Sequence, residues 1–281
     1  MRSRLVASIV GLALVLAACS SSATPVPASA PPSAPASAAG GSAAAANLQI
    51  YAASSLKAAL AQVKTTYEAA NPGTTLTIST DSSSALETKI EQGAPADVFL
   101  SADTANPQKL VDKGLALGAP VNFAGNLLTI ITPLNNPAGI KSPLDMINPV
   151  QIIAAGDTVP ITKYANMLVA NLAKQPGYPP TFATLYAANI KSKEDNVAAV
   201  VSKIELGEGD VAIVYVTDAK TSTKVAQPAP IPTDANVPAT YAGVVVKATQ
   251  SPDASQAFLT WFAGPAGQAI LAGFGFLPPP S

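Results

Sequence analysis

The stretch LQIYAASSLKAALAQVKTTYEAANPGTTLTISTDSSSALETKIEQGAPADVFLS, residues 48–101, switches between strand and helix periodicity four times. Leu48-Gln49-Ile50-Tyr51 reads as a short strand, and Leu56, Leu60, Val63 and Tyr67 follow at helical spacing until Asn71-Pro72-Gly73 stops the helix. Leu76 and Ile78 alternate with Thr in a second strand; Ser82–Ser84 can cap a helix that runs to Gln92 and closes at Gly93. Asp97–Ser101 is a third apolar strand, followed by a helix through Lys109-Leu110-Val111 to Gly114. This β-α-β-α-β alternation implies a parallel sheet with helices on both faces.

Working outward, a second series repeats the pattern. Leu127–Ile131 and Gln151–Ala155 read as strands, Tyr164–Lys174 and Val197–Leu206 as helices, and Val211–Tyr215 and Tyr241–Lys247 as strands. Helices follow at Ala254–Phe262 and Pro265–Leu271. The length and pattern favour two α/β lobes over one closed barrel, which needs eight more regular units.

Upstream, Met1-Arg2-Ser3-Arg4 is basic and Leu5–Ala18 is an unbroken run of apolar and small residues. That run falls short of the roughly 20 residues of a membrane-spanning helix and fits the core of a signal peptide, residues 1–18. Leu16-Ala17-Ala18-Cys19 resembles a lipobox, in which Cys19 is lipidated and becomes the new N-terminus; the other reading is a plain secretory signal. Residues 19–47 are then a tether, since Ser20–Asn47 is almost wholly Ser, Ala, Pro and Gly and cannot bury a core.

Composition removes whole classes of chemistry. Of the 281 residues only 12% are charged, against about 25% in a typical domain. There is no His and a single Cys. Triads that use His, His-ligated metals, internal disulfides and multi-thiolate clusters are thereby excluded. Both Arg lie at positions 2 and 4, so removal of residues 1–18 leaves 14 Lys against 17 acids, a charge of 14 − 17 = −3. A basic nucleic-acid-binding surface is not expected.

Ligands of open α/β sheets sit beyond the C-terminal ends of the strands, where helix N-termini offer free N–H groups. Four such turns are rich in hydroxyls or small residues: Ala52-Ala53-Ser54-Ser55-Leu56, Asp81-Ser82-Ser83-Ser84, Val159-Pro160-Ile161-Thr162 and Glu194-Asp195-Asn196-Val197. Each taken alone is also compatible with ordinary helix capping.

Together with Lys57, the run from Gly93-Ala94-Pro95-Ala96-Asp97 to Asp103, Gly156-Asp157, Tyr164-Ala165 and Ile213-Val214-Tyr215, these turns make the chain resemble the molybdate-binding proteins of ABC transporters over Leu48–Phe276. The resemblance implies a type II periplasmic-binding-protein fold, two α/β lobes joined by two crossing strands, with 48–127 and 243–281 in lobe 1 and 128–242 in lobe 2. It implies that a tetrahedral oxyanion, molybdate or tungstate, is held by the hydroxyls of Ser55 and Ser83, the N–H groups near Ile161 and Val197, and the hydroxyl of Tyr215. Those residues would grip the anion through its oxygens, with no protein-to-metal bond and no cofactor. Further implications are a binding protein rather than an enzyme, a monomer at the outer face of the cell membrane, and an ABC permease with its ATPase as partners. Ile161 and Thr162 stand where the family has smaller residues, and Asp81, beside the serine run, is expected to face solvent or cap the helix.

Beside an interaction lipoprotein with no small-molecule ligand, which leaves the four hydroxyl-lined turns unexplained, two other readings compete. One is a binding protein for another oxyanion or small organic anion. The other is a serine acyl-enzyme of the penicillin-binding type, in which Lys57 of Ser54-x-x-Lys57 deprotonates Ser54, with Tyr164-Ala165-Asn166 and Lys220-Thr221-Ser222 as the accompanying motifs.

Overall fold

A computed structural model describes residues 46–280. The signal segment, Cys19 and nearly all of the tether lie outside the described residues.

The first sheet grows from β1 (Asn47–Ala53), which pairs in parallel with β2 (Thr75–Asp81) and β3 (Val98–Ser101). Register places Leu48 opposite Leu76 and Ile50 opposite both Ile78 and Val98, so the apolar alternation of each strand meets its like. Helix α1 (Lys57–Ala70) lays Ala59, Leu60, Val63 and Tyr67 against this sheet, the stripe read from the sequence. Its Tyr67 ring stands edge-on to Phe258 and Trp261, each at 5.0 Å between centroids, which fixes α1 to α8 (Pro252–Ala263). Helices α2 (Ser83–Glu91) and α3 (Ala105–Asp112) cover the other side, and α2 ends at Gly93, whose φ of +86° is open to glycine at no cost.

The sheet is not purely parallel. Strand β4 (Ala116–Asn126) and the late strand β10 (Ala239–Val246) complete it in the order β2-β1-β3-β10-β4, with β10 antiparallel to both neighbours. The second half contains β5 (Leu128–Pro133), β6 (Ile152–Ala155), β7 (Ile190–Glu194), β8 (Ala212–Tyr215) and β9 (Val225–Ala226). Pairing β6 with β7 in parallel, β6 with the residue before β8 through the Ile152–Val211 bridge, and β5 antiparallel to β8 and β9 gives the order β7-β6-β8-β5-β9. The two orders correspond strand for strand, including which neighbours are antiparallel. Helices α4 (Pro160–Leu172), α5 (Phe182–Ala188), α6 (Val197–Glu205) and α7 (Val216–Thr221) belong to this second half.

In each sheet the antiparallel fourth strand is the one that follows a crossing: β5 enters lobe 2 directly from β4 through Leu127, and β10 returns to lobe 1 after β9. These are the two crossings of a two-lobed type II fold. The boundary expected between 242 and 243 falls inside β10, whose pairing with β4 already begins at Ala239 opposite Asn126. Residues 239–242 therefore sit in the first sheet, because the strand is continuous there. Strands β4, β7 and β9 and helices α5 and α7 carry no clear signal in the sequence.

Only Gly264 separates α8 from α9 (Pro265–Gly273), a corner so tight that a Cβ on Gly267 would lie 2.0 Å from the Phe262 carbonyl oxygen. Gly267→Ala should cost about 1–3 kcal/mol through overpacking and lower the thermal midpoint by several degrees; scanning calorimetry that finds an unchanged midpoint would contradict this corner.

Candidate functional site

The C-terminal ends of β1 and β2 and the starts of α4 and α6 face one another across a small cleft of about 200 Å³, counting its open mouth. Ser55, Ser83, Ile161, Val197 and Tyr215, the five residues that the resemblance singled out, all line it. Ser54, Ala102 and Val159, from the same stretches of sequence, complete much of the wall.

Each position has a local cause. Ser55 sits in the 3-10 turn Ser54–Leu56 that carries β1 into α1, and it is buried. Ser83 is the first residue of α2; Ser82 is its cap, accepting the Ala85 N–H at 3.3 Å. The Ser83 Oγ accepts the Ala102 N–H at 3.0 Å, so a lone pair is engaged and its own proton is available to the cleft. At α4, Pro160 carries no N–H, which makes Ile161 the first donor of that helix, and no side chain caps it. Thr162 turns its hydroxyl onto the Ala155 carbonyl at 2.9 Å, and Ile161 is buried, so the two larger residues pack into lobe 2. At α6, Asn196 accepts only the Ala199 N–H, at 3.1 Å, leaving the N–H groups of Val197 and Ala198 with no acceptor within the helix.

Tyr215 ends β8 with its ring edge-on to Tyr164 and Tyr241 at 6.3 and 5.6 Å. Its side chain is buried and its Oη has no hydrogen-bond partner among the described residues. Burial pushes its pKa well up, so the group stays a protonated phenol, able to donate.

The wall holds no lysine; its one ionisable carboxyl is Asp81. Of the two expectations for Asp81, facing solvent or capping the helix, neither holds as stated: Ser82 is the cap of α2, and Asp81 is half-buried in the wall. It accepts the Ser82 N–H at 2.8 Å, pairs with Lys89 at 3.1 Å and takes a 3.2 Å bond from Asn196 Nδ2 of the other lobe. Burial works to raise its pKa, but these three partners outweigh it and the net shift is downward. With Ser84 Oγ 3.5 Å from Thr158 Oγ1, the Asp81–Asn196 bond ties the lobes together at the mouth.

Behind the wall, Ser55 Oγ lies 2.9 Å from Tyr241 Oη, which Asn126 Nδ2 reaches at 3.3 Å. Neither residue was read as part of the site. The acyl-enzyme motifs do not converge: Ser54 and Lys57 flank an outer groove, Asn166 lines a separate cavity within lobe 2, and Lys220 Nζ bonds the Gly273 carbonyl at 3.2 Å. Among the described residues no group of His, Cys, Asp or Glu could hold a metal ion, and no helix is long and apolar enough to cross a membrane.

Two equivalent lobes closing on a donor-lined cleft define a solute-binding protein. The family profile described as bacterial extracellular solute-binding protein matches residues 48–277, and the chain belongs to that family. Within it the chain groups with the ModA proteins: it is 32% identical, over 84% of its own length and 86% of the relative's, to "Molybdate-binding protein ModA" of Mycobacterium tuberculosis. Among solved structures it superimposes on the periplasmic molybdate-binding protein of Azotobacter vinelandii with a TM-score of 0.70 at 21% identity, covering 83% of this chain and 100% of that one. It superimposes equally on the sulfate-binding protein SubI of Mycobacterium tuberculosis, with a TM-score of 0.73 at 19% identity and coverage of 83% and 87%. At those identities the superpositions speak for the fold alone.

Beside the cleft, Asp218 is buried and burial lifts its carboxyl to about 7, against a 3.2 Å bond from the Tyr215 N–H that works the other way. Because the folded value is raised, its contribution to stability is fully present below the ordinary carboxylate range and is lost as pH rises through about 7. Glu87, lifted to about 7 mainly by burial, acts in the same direction. Asp218→Asn should shrink the fall in thermal midpoint between pH 5 and pH 8; a variant whose pH profile overlays the wild type would contradict this assignment.

Proposed function

We propose that this protein captures molybdate or tungstate between its lobes and hands it to an ABC permease and its ATPase. The observation that carries the reading is the buried, unpartnered Tyr215 hydroxyl in a cleft lined by further hydroxyls and helix-start amides that can donate. A buried group of that kind costs about 1–3 kcal/mol unless something accepts from it, and an oxyanion does so.

The physics suits a doubly charged ligand. Helix N-termini carry partial positive charge, so α4 and α6 can stabilise an anion without burying a cation. Hydroxyls of Ser55, Ser83 and Tyr215 add charge-assisted bonds of about 1.5–3 kcal/mol each. Selectivity follows from the direction of those bonds. A fully deprotonated oxyanion can accept from every donor, whereas monohydrogen phosphate gives up one oxygen to a proton; sulfate, smaller than molybdate, would reach the same donors less well. Asp81 does not spoil this balance, since Ser82, Lys89 and Asn196 already engage its charge.

The remaining parts of the reading concern delivery. Cys19 as a lipidated N-terminus, followed by a tether of residues 19–47, would hold a monomeric binding body within reach of the permease at the outer face of the membrane. Membership of an extracellular binding-protein family supports an exported location. Cys19→Ala should move the protein from the membrane fraction to the soluble fraction of the expressing cells; an unchanged distribution would contradict the anchor.

Isothermal titration of the mature chain should give submicromolar binding of molybdate and tungstate, with sulfate and phosphate far weaker; no heat with molybdate would overturn the proposal. Ser83→Ala should weaken molybdate by about 1.5–3 kcal/mol, roughly ten- to a hundredfold. Tyr215→Phe should bind molybdate more weakly while leaving the free protein at least as stable as wild type, because the hydroxyl it removes has no partner to lose.

A further inference from the structure

Behind Ser55, the buried side chains of Tyr241, Asn126 and Thr217 form a chain whose hydrogen-bond directions can be worked out. Leu127 N–H donates to Asn126 Oδ1 at 3.0 Å, which fixes the amide so that Nδ2 points away from the backbone. That Nδ2 donates to Thr217 Oγ1 at 2.8 Å and to Tyr241 Oη at 3.3 Å. With an incoming bond at its oxygen, Tyr241 must place its single proton elsewhere, and Ser55 Oγ at 2.9 Å is the acceptor beside it. Reversing that last bond would leave a buried tyrosine proton without an acceptor, the costlier arrangement. Ser55 Oγ therefore accepts from behind, and its own proton is directed forward into the cleft.

Ser55 is under a tenth exposed, and Asn126, Thr217 and Tyr241 are almost completely buried, so water does not compete for these bonds. Burial pushes the Tyr241 hydroxyl well above the ordinary phenol range, which keeps its proton in place. Asn126 is the last residue of β4, at the crossing into lobe 2, and Thr217 belongs to α7 of lobe 2. The chain is thus anchored where the two lobes meet.

We propose that Asn126 and Tyr241 are positioning residues that make Ser55 an obligate donor, and that this relay sets the preference for fully deprotonated oxyanions over protonated ones. The proposal rests on the anion-binding reading given above. Without Tyr241 Oη, the Ser55 hydroxyl is free to rotate and can offer a lone pair to the cleft, so a hydrogen-bearing anion such as monohydrogen phosphate regains a partner. Polarisation along the chain also strengthens the outgoing bond.

The test is a double-mutant cycle on the mature chain with sodium molybdate and sodium phosphate as probes, read by titration calorimetry, with thermal midpoints confirming that each variant is folded. Tyr241→Phe should weaken molybdate roughly three- to tenfold and narrow the ratio of molybdate to phosphate affinity. In a Ser55→Ala background the same change should alter neither quantity, because Tyr241 acts through Ser55. Asn126→Asp, which turns the first donor of the chain into an acceptor, should narrow the ratio as well. Losses that multiply in the double variant, or a Tyr241→Phe protein with wild-type affinity and ratio, would overturn the relay while leaving the anion site intact. A wild-type chain that ignores molybdate would overturn the underlying reading instead.

Discussion

Each of the two sheets is completed by the strand that follows a crossing between the halves of the chain, and those two crossings make the cleft a defined place. Because β5 and β10 cross in opposite directions, the parallel strands of both lobes end toward a shared seam. The helices that follow those strands begin there with unsatisfied N–H groups, as any helix does. Nothing exotic is needed to make the pocket donor-rich. What is specific is the filling between those ends: Ser55 and Ser83 from one side, Tyr215 from the other, and proline at the first position of α4 so that Ile161 presents the leading amide.

Electrostatics explains an odd composition. Residues 48–281 contain no Arg, and no Lys lines the cleft, although an anion is the proposed guest. Fixed dipoles do not have to be desolvated as a buried ammonium would, so they favour an anion without the penalty of a buried cation. The same economy governs acids nearby. Asp81 is tolerated because three partners hold it ionised, while Asp218 and Glu87, with fewer partners and more burial, drift toward the neutral form near pH 7.

Much of this could be read from the chain. The strands of 48–101 are legible because Leu48, Ile50, Leu76, Ile78 and Val98 keep strict register, and the serine turns because they end those strands. Strand β4 is illegible because Gly118, Pro120 and Gly125 interrupt it; it persists only through pairing with β10, with shifts in register along the way. Helix α5 and strand β7 are short and weakly patterned, so their identity comes from packing in lobe 2. The end of lobe 2 is illegible because the crossing comes before Ala239, where β10 begins, and no local signal marks where the chain returns to the first sheet. The Asn126–Tyr241 contact joins residues 115 positions apart and leaves no trace in spacing. A tyrosine between small residues in an apolar strand was the one available hint, since a buried hydroxyl asks for a partner.

A crystal structure of the mature chain grown with sodium molybdate, with the anion located by its anomalous scattering, would show whether the seam holds an oxyanion. One strong peak is expected there, its oxygens within hydrogen-bond distance of the Ser55, Ser83 and Tyr215 hydroxyls and the Ile161 and Val197 amides. A peak elsewhere, or a seam that stays free of molybdenum at saturating molybdate, would contradict that assignment.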